Sequence, residues 1–303
     1  MMRLILLIYS FCLVFFCACT NEETENSGNS STDVLTIANV VIESPQWTRA
    51  GELDTLTTDS MGIYRLAVNK YSAKKNLIYK YVDSWWKARS NADTLILNSA
   101  IAQICAYYPY GAAGITNTTD ITKIALKTQK YSSREDLCYQ KIYSVKDSSP
   151  KAKFSMSRAF AKLTFVITHQ QAYTGACYID SIAVLHSSIR TKAVLNITTG
   201  DISDPIASSA GYSPKMTIGE NKTDSTQMLM VPGAVTQSTE KFKAIFWLDG
   251  LQRSVQFVVP DNKFTAGYNY RLPIIVTDKA DLIIQSISIT DWESGVYTPA
   301  IDL

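Results

Sequence analysis

Histidine is nearly absent: the 303-residue chain has two, His169 and His186. No His-Glu-x-x-His, Gly-x-Ser-x-Gly or phosphate-loop pattern occurs, and neither histidine stands in a spacing used for nucleophilic or metal chemistry. His169 is expected on the surface at a strand end and His186 on a sheet face. No catalytic residue, metal-ligand set or cofactor is predicted, so an enzyme is not expected. Charge is sparse as well: 18% of residues are charged, the net charge is +2, and no dense Lys/Arg tract appears. Nucleic acid is therefore not expected as a partner. Six cysteines reduce to Cys105, Cys138 and Cys177 in the body of the chain, with no Cys-x-x-Cys among them. They read either as buried apolar residues or as one disulfide and a spare thiol. Helical periodicity is scarce; the capping-box spacing of Ser132 and Glu135 predicts one short helix.

What the chain does have is a leader and many short β segments. Residues 1–19 read as a secretion signal: Arg3, then an apolar run over residues 4–16 that is too short for a bilayer span, then small residues. The run ends Phe16-Cys17-Ala18-Cys19, which resembles a lipobox with Cys19 as the lipidated residue, although Phe16 is bulkier than the residue usual there. Residues 20–32 are polar and read as a flexible tether. Their acidic start resembles the export signal of Bacteroidetes surface lipoproteins.

Residues 33–50 organise the rest. Val34, Leu35, Ile37, Val40, Val41 and Ile42 form a β-branched run with no helical period, which predicts a first strand. Further strands are expected near residues 61–68, 78–82, 94–97, 101–110, 121–126, 161–168, 178–186, 193–197, 227–232, 242–248, 254–259, 267–276 and 282–289. Asp249-Gly250 marks a hairpin turn. Many short strands with close turn signals predict an all-β protein of two sandwiches in series. The polar, proline-bearing stretch 146–153 reads as the linker, giving domains at 33–150 and 151–303.

Several separated motifs then agree. Thr48-Arg49-Ala50, Ile104-Cys105-Ala106-Tyr107-Tyr108-Pro109-Tyr110, Asp136-Leu137-Cys138-Tyr139, the run from Met156 through Arg158 to Phe165, Leu229-Met230-Val231-Pro232, Ala266-Gly267-Tyr268-Asn269-Tyr270 and Ile287-Ser288-Ile289-Thr290-Asp291-Trp292 resemble, in order, segments of the fimbrillin family of Bacteroidetes. The family often has a histidine near Arg158, and this chain does not. The resemblance spans nearly everything after Cys19. It implies two transthyretin-like β-sandwich domains and delivery to the outer membrane as a lipoprotein. In stalk subunits it also implies cleavage after an arginine, here Arg49, with the mature chain starting at Ala50.

The function this implies is a structural subunit of a cell-surface fimbria, mediating adhesion and joined to other fimbrial subunits by donor-strand complementation. Val34, Ile37, Val40 and Ile42 would belong to the exchanged strand. A replacement strand would come from a chain end, either residues 282–289, where Ile287 and Ile289 alternate with polar neighbours, or residues 295–303. The alternative is an anchored outer-membrane lipoprotein that binds glycan or host protein without polymerising. Trp85 and Trp86 are its candidate aromatic surface; core packing is their other reading.

Overall fold

The computed structural model describes residues 33–43, 54–207, 209–233 and 240–292. In chain order the strands are β1 Thr36–Ile42, β2 Asp54–Thr55, β3 Ser60–Arg65, β4 Lys74–Val82, β5 Trp85–Ala88, β6 Ala102–Tyr108, β7 Ile124–Lys127, β8 Gln129–Lys130, β9 Cys138–Val145, β10 Lys151–Arg158, β11 Ala161–His169, β12 Tyr178–Leu185, β13 Arg190–Leu195, β14 Ile202–Ala207, β15 Ala210–Tyr212, β16 Met216–Thr217, β17 Thr223–Met230, β18 Phe242–Leu248, β19 Leu251–Phe257, β20 Tyr268–Val276, β21 Leu282–Ile284 and β22 Ser288–Asp291. Among the described residues no α-helix occurs, and the protein is all-β. The segment around Ser132 and Glu135 makes a single turn, with both the Glu135 and Asp136 N–H groups donating to the Ser132 carbonyl, and then enters β9.

The first sheet runs β10-β9-β6-β3-β4-β5-β1-β2, and a further pairing of β10 with β1 closes it on itself. A second sheet runs β21-β20-β11-β17-β8 with β22 also on β20; a third runs β15-β12-β18-β19 with β16 on β12. A small fourth sheet is β14-β13-β7. Apolar side chains gather under the first sheet and between the second and third. A third cluster takes Tyr64, Cys105 and Tyr107 from the first sheet and Phe160, Leu195, Leu229 and Trp292 from the later strands.

The sheets do not divide at residue 150. Residues 146–149 form a hairpin turn, closed by pairing of Lys146 with Ser149, and β10 belongs to the first sheet. Conversely, β7 and β8 pair with β13 and β17 of the later half. The polar composition of 146–153 reflects a turn followed by the outward face of a strand. In β10, Lys151, Lys153 and Ser155 point out while Ala152, Phe154 and Met156 are buried, the period of two that a half-buried strand requires. Residues 94–97 are not a strand, although Ile96 bridges to Val34. The expected hairpin turn is there: Asp249 and Gly250 adopt positive φ, 49° and 78°, between the fully paired β18 and β19.

Candidate functional site

β1 is the strand that closes the first sheet. One edge runs parallel to β10, Thr36 opposite Lys151 and Ile42 opposite Met156. The other runs antiparallel to β5, at Ile37 and Trp86, and then to β2, at Val41 and Thr55. Main-chain bonds continue past both ends. The Leu35 N–H donates to the Leu95 carbonyl (2.9 Å), the Leu97 N–H to that of Asp33 (3.0 Å) and the Glu43 N–H to that of Met156 (2.8 Å). Taking β1 away would leave two strand edges without partners, an arrangement that invites another strand.

Its inward side chains are Leu35, Ile37, Val40 and Ile42, each at most 5% exposed. They lie on Met61, Ile63, Tyr79, Trp86, Phe154 and Met156. At about 1.5–3 kcal/mol for each fully buried aliphatic side chain, they are the main attachment of the strand. The alternation slips once. Two residues lie between Ile37 and Val40, whereas one lies between their partners Ala152 and Phe154, so Ala38 is an extra residue. That slip corrects one expectation. Val34 shares the even-numbered phase of Val40 and Ile42, yet it is 40% exposed and Leu35 takes the core position. A one-residue shift moves a side chain to the other face.

The edge toward β10 carries a polar contact that sequence reasoning missed. The Ser155 hydroxyl donates to Glu43 Oε1 at 2.7 Å and the Ser157 hydroxyl to Oε2 at 3.3 Å. The signal was available in the alternation Lys-Ala-Lys-Phe-Ser-Met-Ser-Arg of residues 151–158, which sets both serines on one outward face.

Trp86 lies on β5 directly opposite Ile37 of β1. It is fully buried, donates its indole N–H to the Leu56 carbonyl (3.2 Å) and packs edge-on with Tyr81 and Tyr108. It is therefore core and not part of an aromatic surface. Trp85 points the other way, is half-buried, and has the Lys151 ammonium 5.2 Å above its ring. Ile287 and Ile289 flank the start of β22, half-buried against the core between the second and third sheets. Cys19, Arg49, Ala50 and residues 295–303 lie outside the described residues.

Three of the separated motifs meet in one place. Arg158, at the end of β10, pairs with Asp136 and lays its guanidinium 4.5 Å over the Trp292 ring. The Lys162 ammonium stands 4.8 Å from the same ring and 5.3 Å from that of Tyr131. Burial pushes the Asp136 carboxyl up, while Arg158 and Lys162 pull it back toward the charged form. Trp292 thus ties the end of β22 to the end of β10.

Among the described residues no group of His, Cys, Asp and Glu is placed to hold a metal. His169 is buried rather than on the surface, its ring nitrogens 2.8 Å and 3.0 Å from the carbonyls of Ile218 and Tyr173. His186 stacks on Phe242 with ring centres 3.8 Å apart. Cys105, Cys138 and Cys177 are buried and outside any disulfide. Burial pushes the Cys105 thiol up to about 12, and burial with the nearby Asp249 pushes Cys177 up to about 11.

The fold recurs in solved proteins. One from Bacteroides uniformis, proposed to act in cell adhesion, superposes with a TM-score of 0.61 at 17% identity, over 86% of this chain and 100% of that one. Another from Bacteroides ovatus, with the same proposed role, gives 0.59 at 14% identity over 88% and 100%. No curated protein matches the chain. The sequence profile of the fimbrillin-like family matches residues 48–292, a span that begins just after β1 and ends on Trp292. The chain belongs to the fimbrillin-like family.

Proposed function

We propose that this protein is a structural subunit of a cell-surface fimbria, exported as an outer-membrane lipoprotein on Cys19 and joined to other fimbrial subunits by strand replacement. Cleavage after Arg49 separates β1 from the rest of the chain. A strand from a neighbouring subunit then takes its place between β10 and β5. The carrying observation is that β1 alone closes the first sheet, bonded on both edges, with its four apolar anchors inward. Such a strand can be exchanged for another with the same main-chain bonds and similar side chains. Family membership and the adhesion role proposed for the solved proteins of this fold support the same reading.

Intact mass and N-terminal sequence of the protein recovered from the cell surface test it. A chain that starts at Ala50 and sits in fibres is the expected result. A chain that keeps lipidated Cys19 and never enters fibres overturns the polymerising role and leaves an anchored lipoprotein for glycan or host protein. The burial of Trp86 leaves that second reading with Trp85 alone of the pair, half-buried beside Lys151.

A further inference from the structure

The outward face of the third sheet carries a tryptophan, Trp247 of β18. The core side of that strand is set by Phe242, Ala244, Phe246 and Leu248, all buried, so Lys243, Ile245 and Trp247 face away from it. Trp247 is half-buried, whereas Trp86 and Trp292 are buried. Its cross-strand neighbours on the same face are Ser181 of β12 and Gln252 of β19. The next row is Ala183, Ile245 and Ser254, with Gly211 of β15 beyond Ala183.

Three observations set this face apart from an ordinary solvated one. First, its polar groups are uncommitted. Among the described residues, the Trp247 indole N–H and the side chains of Ser181, Gln252 and Ser254 make no hydrogen bond within the protein. Second, one flank of the row is low, because Ala183 and Gly211 present almost no side chain. A Cβ on Gly211 would lie 2.9 Å from the Ile182 carbonyl oxygen. Third, the alternation of β12 slips at this row. Ile179 lies opposite Leu248 and Ser181 opposite Trp247, which leaves Asp180 as an extra residue. A bulge bends its strand and re-aims the side chains beside it. Here it turns Ser181 outward toward Trp247 while Ile179 stays in the core.

We propose that the face around Trp247 binds a neutral glycan, with the indole stacked on a pyranose ring and Ser181 and Gln252 bonded to its hydroxyls. A sugar ring offers C–H groups on one face, which suit an aromatic ring, and hydroxyls around its rim, which suit amides and hydroxyls. Neighbouring strands lie about 4.8 Å apart, so the side chains on either side of Trp247 flank a ring stacked on it. Asp180 is the one charge at this row, and Lys243 lies two positions beyond Ile245 on the same strand, so the two leave no net charge to draw an anionic partner. A protein partner fits less well. A standard interface takes about 20–30 residues a side around a buried cluster of anchors. This face offers one tryptophan among small and polar side chains. The site uses no residue of β1 or of the strands beside it, so it stands with or without strand replacement.

The test uses the whole chain on immobilised glycans ending in glucose, galactose, mannose or N-acetylglucosamine, with sialylated glycans as anionic controls. The expected result is retention on at least one neutral glycan. Trp247→Ala should weaken it at least about tenfold, and Trp247→Tyr, which keeps an aromatic ring, should weaken it less. Trp247 faces away from the core, so an unchanged melting temperature separates a lost ligand from a lost fold. Gln252→Ala, at an exposed position, should weaken binding about threefold and carries the test if Trp247→Ala does not fold. No retention on any neutral glycan, or equal retention of wild type and both alanine variants, overturns the proposal. Retention on sialylated glycans alone overturns the neutral ligand. Binding that is lost in Trp85→Ala and kept in Trp247→Ala moves the site to β5 and overturns the proposal as well. A concentration-dependent dimer that Trp247→Ala dissolves gives the face to a second copy, with the same consequence.

Discussion

Glu43, the residue just past the end of β1, reaches across to β10, where it accepts from two hydroxyls on the same face. Hydrogen bonds to a charged group at an exposed site hold a strand in register more than they hold it in place. Glu43→Ala in the cut chain should therefore speed loss of the β1 fragment by roughly 3- to 10-fold, in line with about 1 kcal/mol. Fragment release followed by mass spectrometry reads this directly. Trp86 works on the inner face. Its burial beside Ile37 of β1 predicts a blue-shifted emission that moves to longer wavelength when the strand leaves, and Trp86→Phe should abolish most of that shift. At the same scale, burial keeps the Cys105 and Cys177 thiols protonated well above neutral pH. Iodoacetamide at pH 8 should leave the folded body unlabelled and modify Cys105, Cys138 and Cys177 once it is denatured.

At the scale of elements, the pair Asp136–Arg158 joins the entry to β9 with the end of β10, and Trp292 closes over it from the end of β22. Asp136→Ala would remove the carboxylate that pairs with the buried Arg158 guanidinium and should cost about 1–3 kcal/mol, read as a lower denaturation midpoint. The elements were unequally legible in the sequence. Strong β-branched runs such as β11, β18 and β20 announced themselves, as did the Asp249-Gly250 turn. β10 was hidden because half of its residues are lysines and serines, and only the strict alternation with Ala152, Phe154 and Met156 betrays a strand. β9 was hidden because Tyr139, Gln140, Lys141 and Tyr143 make its pattern uneven. The phase of β1 could not be read at all before its partner was known. The extra residue Ala38 is defined by β10, and with it whether Val34 or Leu35 enters the core. Family motifs marked Asp136, Arg158 and Trp292 as separate segments, but their meeting depends on pairings far apart in the chain.

For the whole molecule, the relevant fact is that the halves share strands. β7 and β8 come from before residue 150 and pair with later strands, and the third apolar cluster draws on both halves. Expressing residues 151–303 alone should therefore yield a poorly folded product that lacks β7 and β8. The chain from residue 54 onward should fold better when a peptide of residues 33–43 is supplied, with recovery of soluble protein as the readout. The pairing of β1 has a mechanical side as well. In a fibre joined through this slot, tension between neighbouring subunits pulls the inserted strand along its own length. Its hydrogen bonds stand across that direction on both edges, so they bear the load together rather than opening one after another. A junction of this geometry resists shear flow far better than its equilibrium affinity alone would suggest.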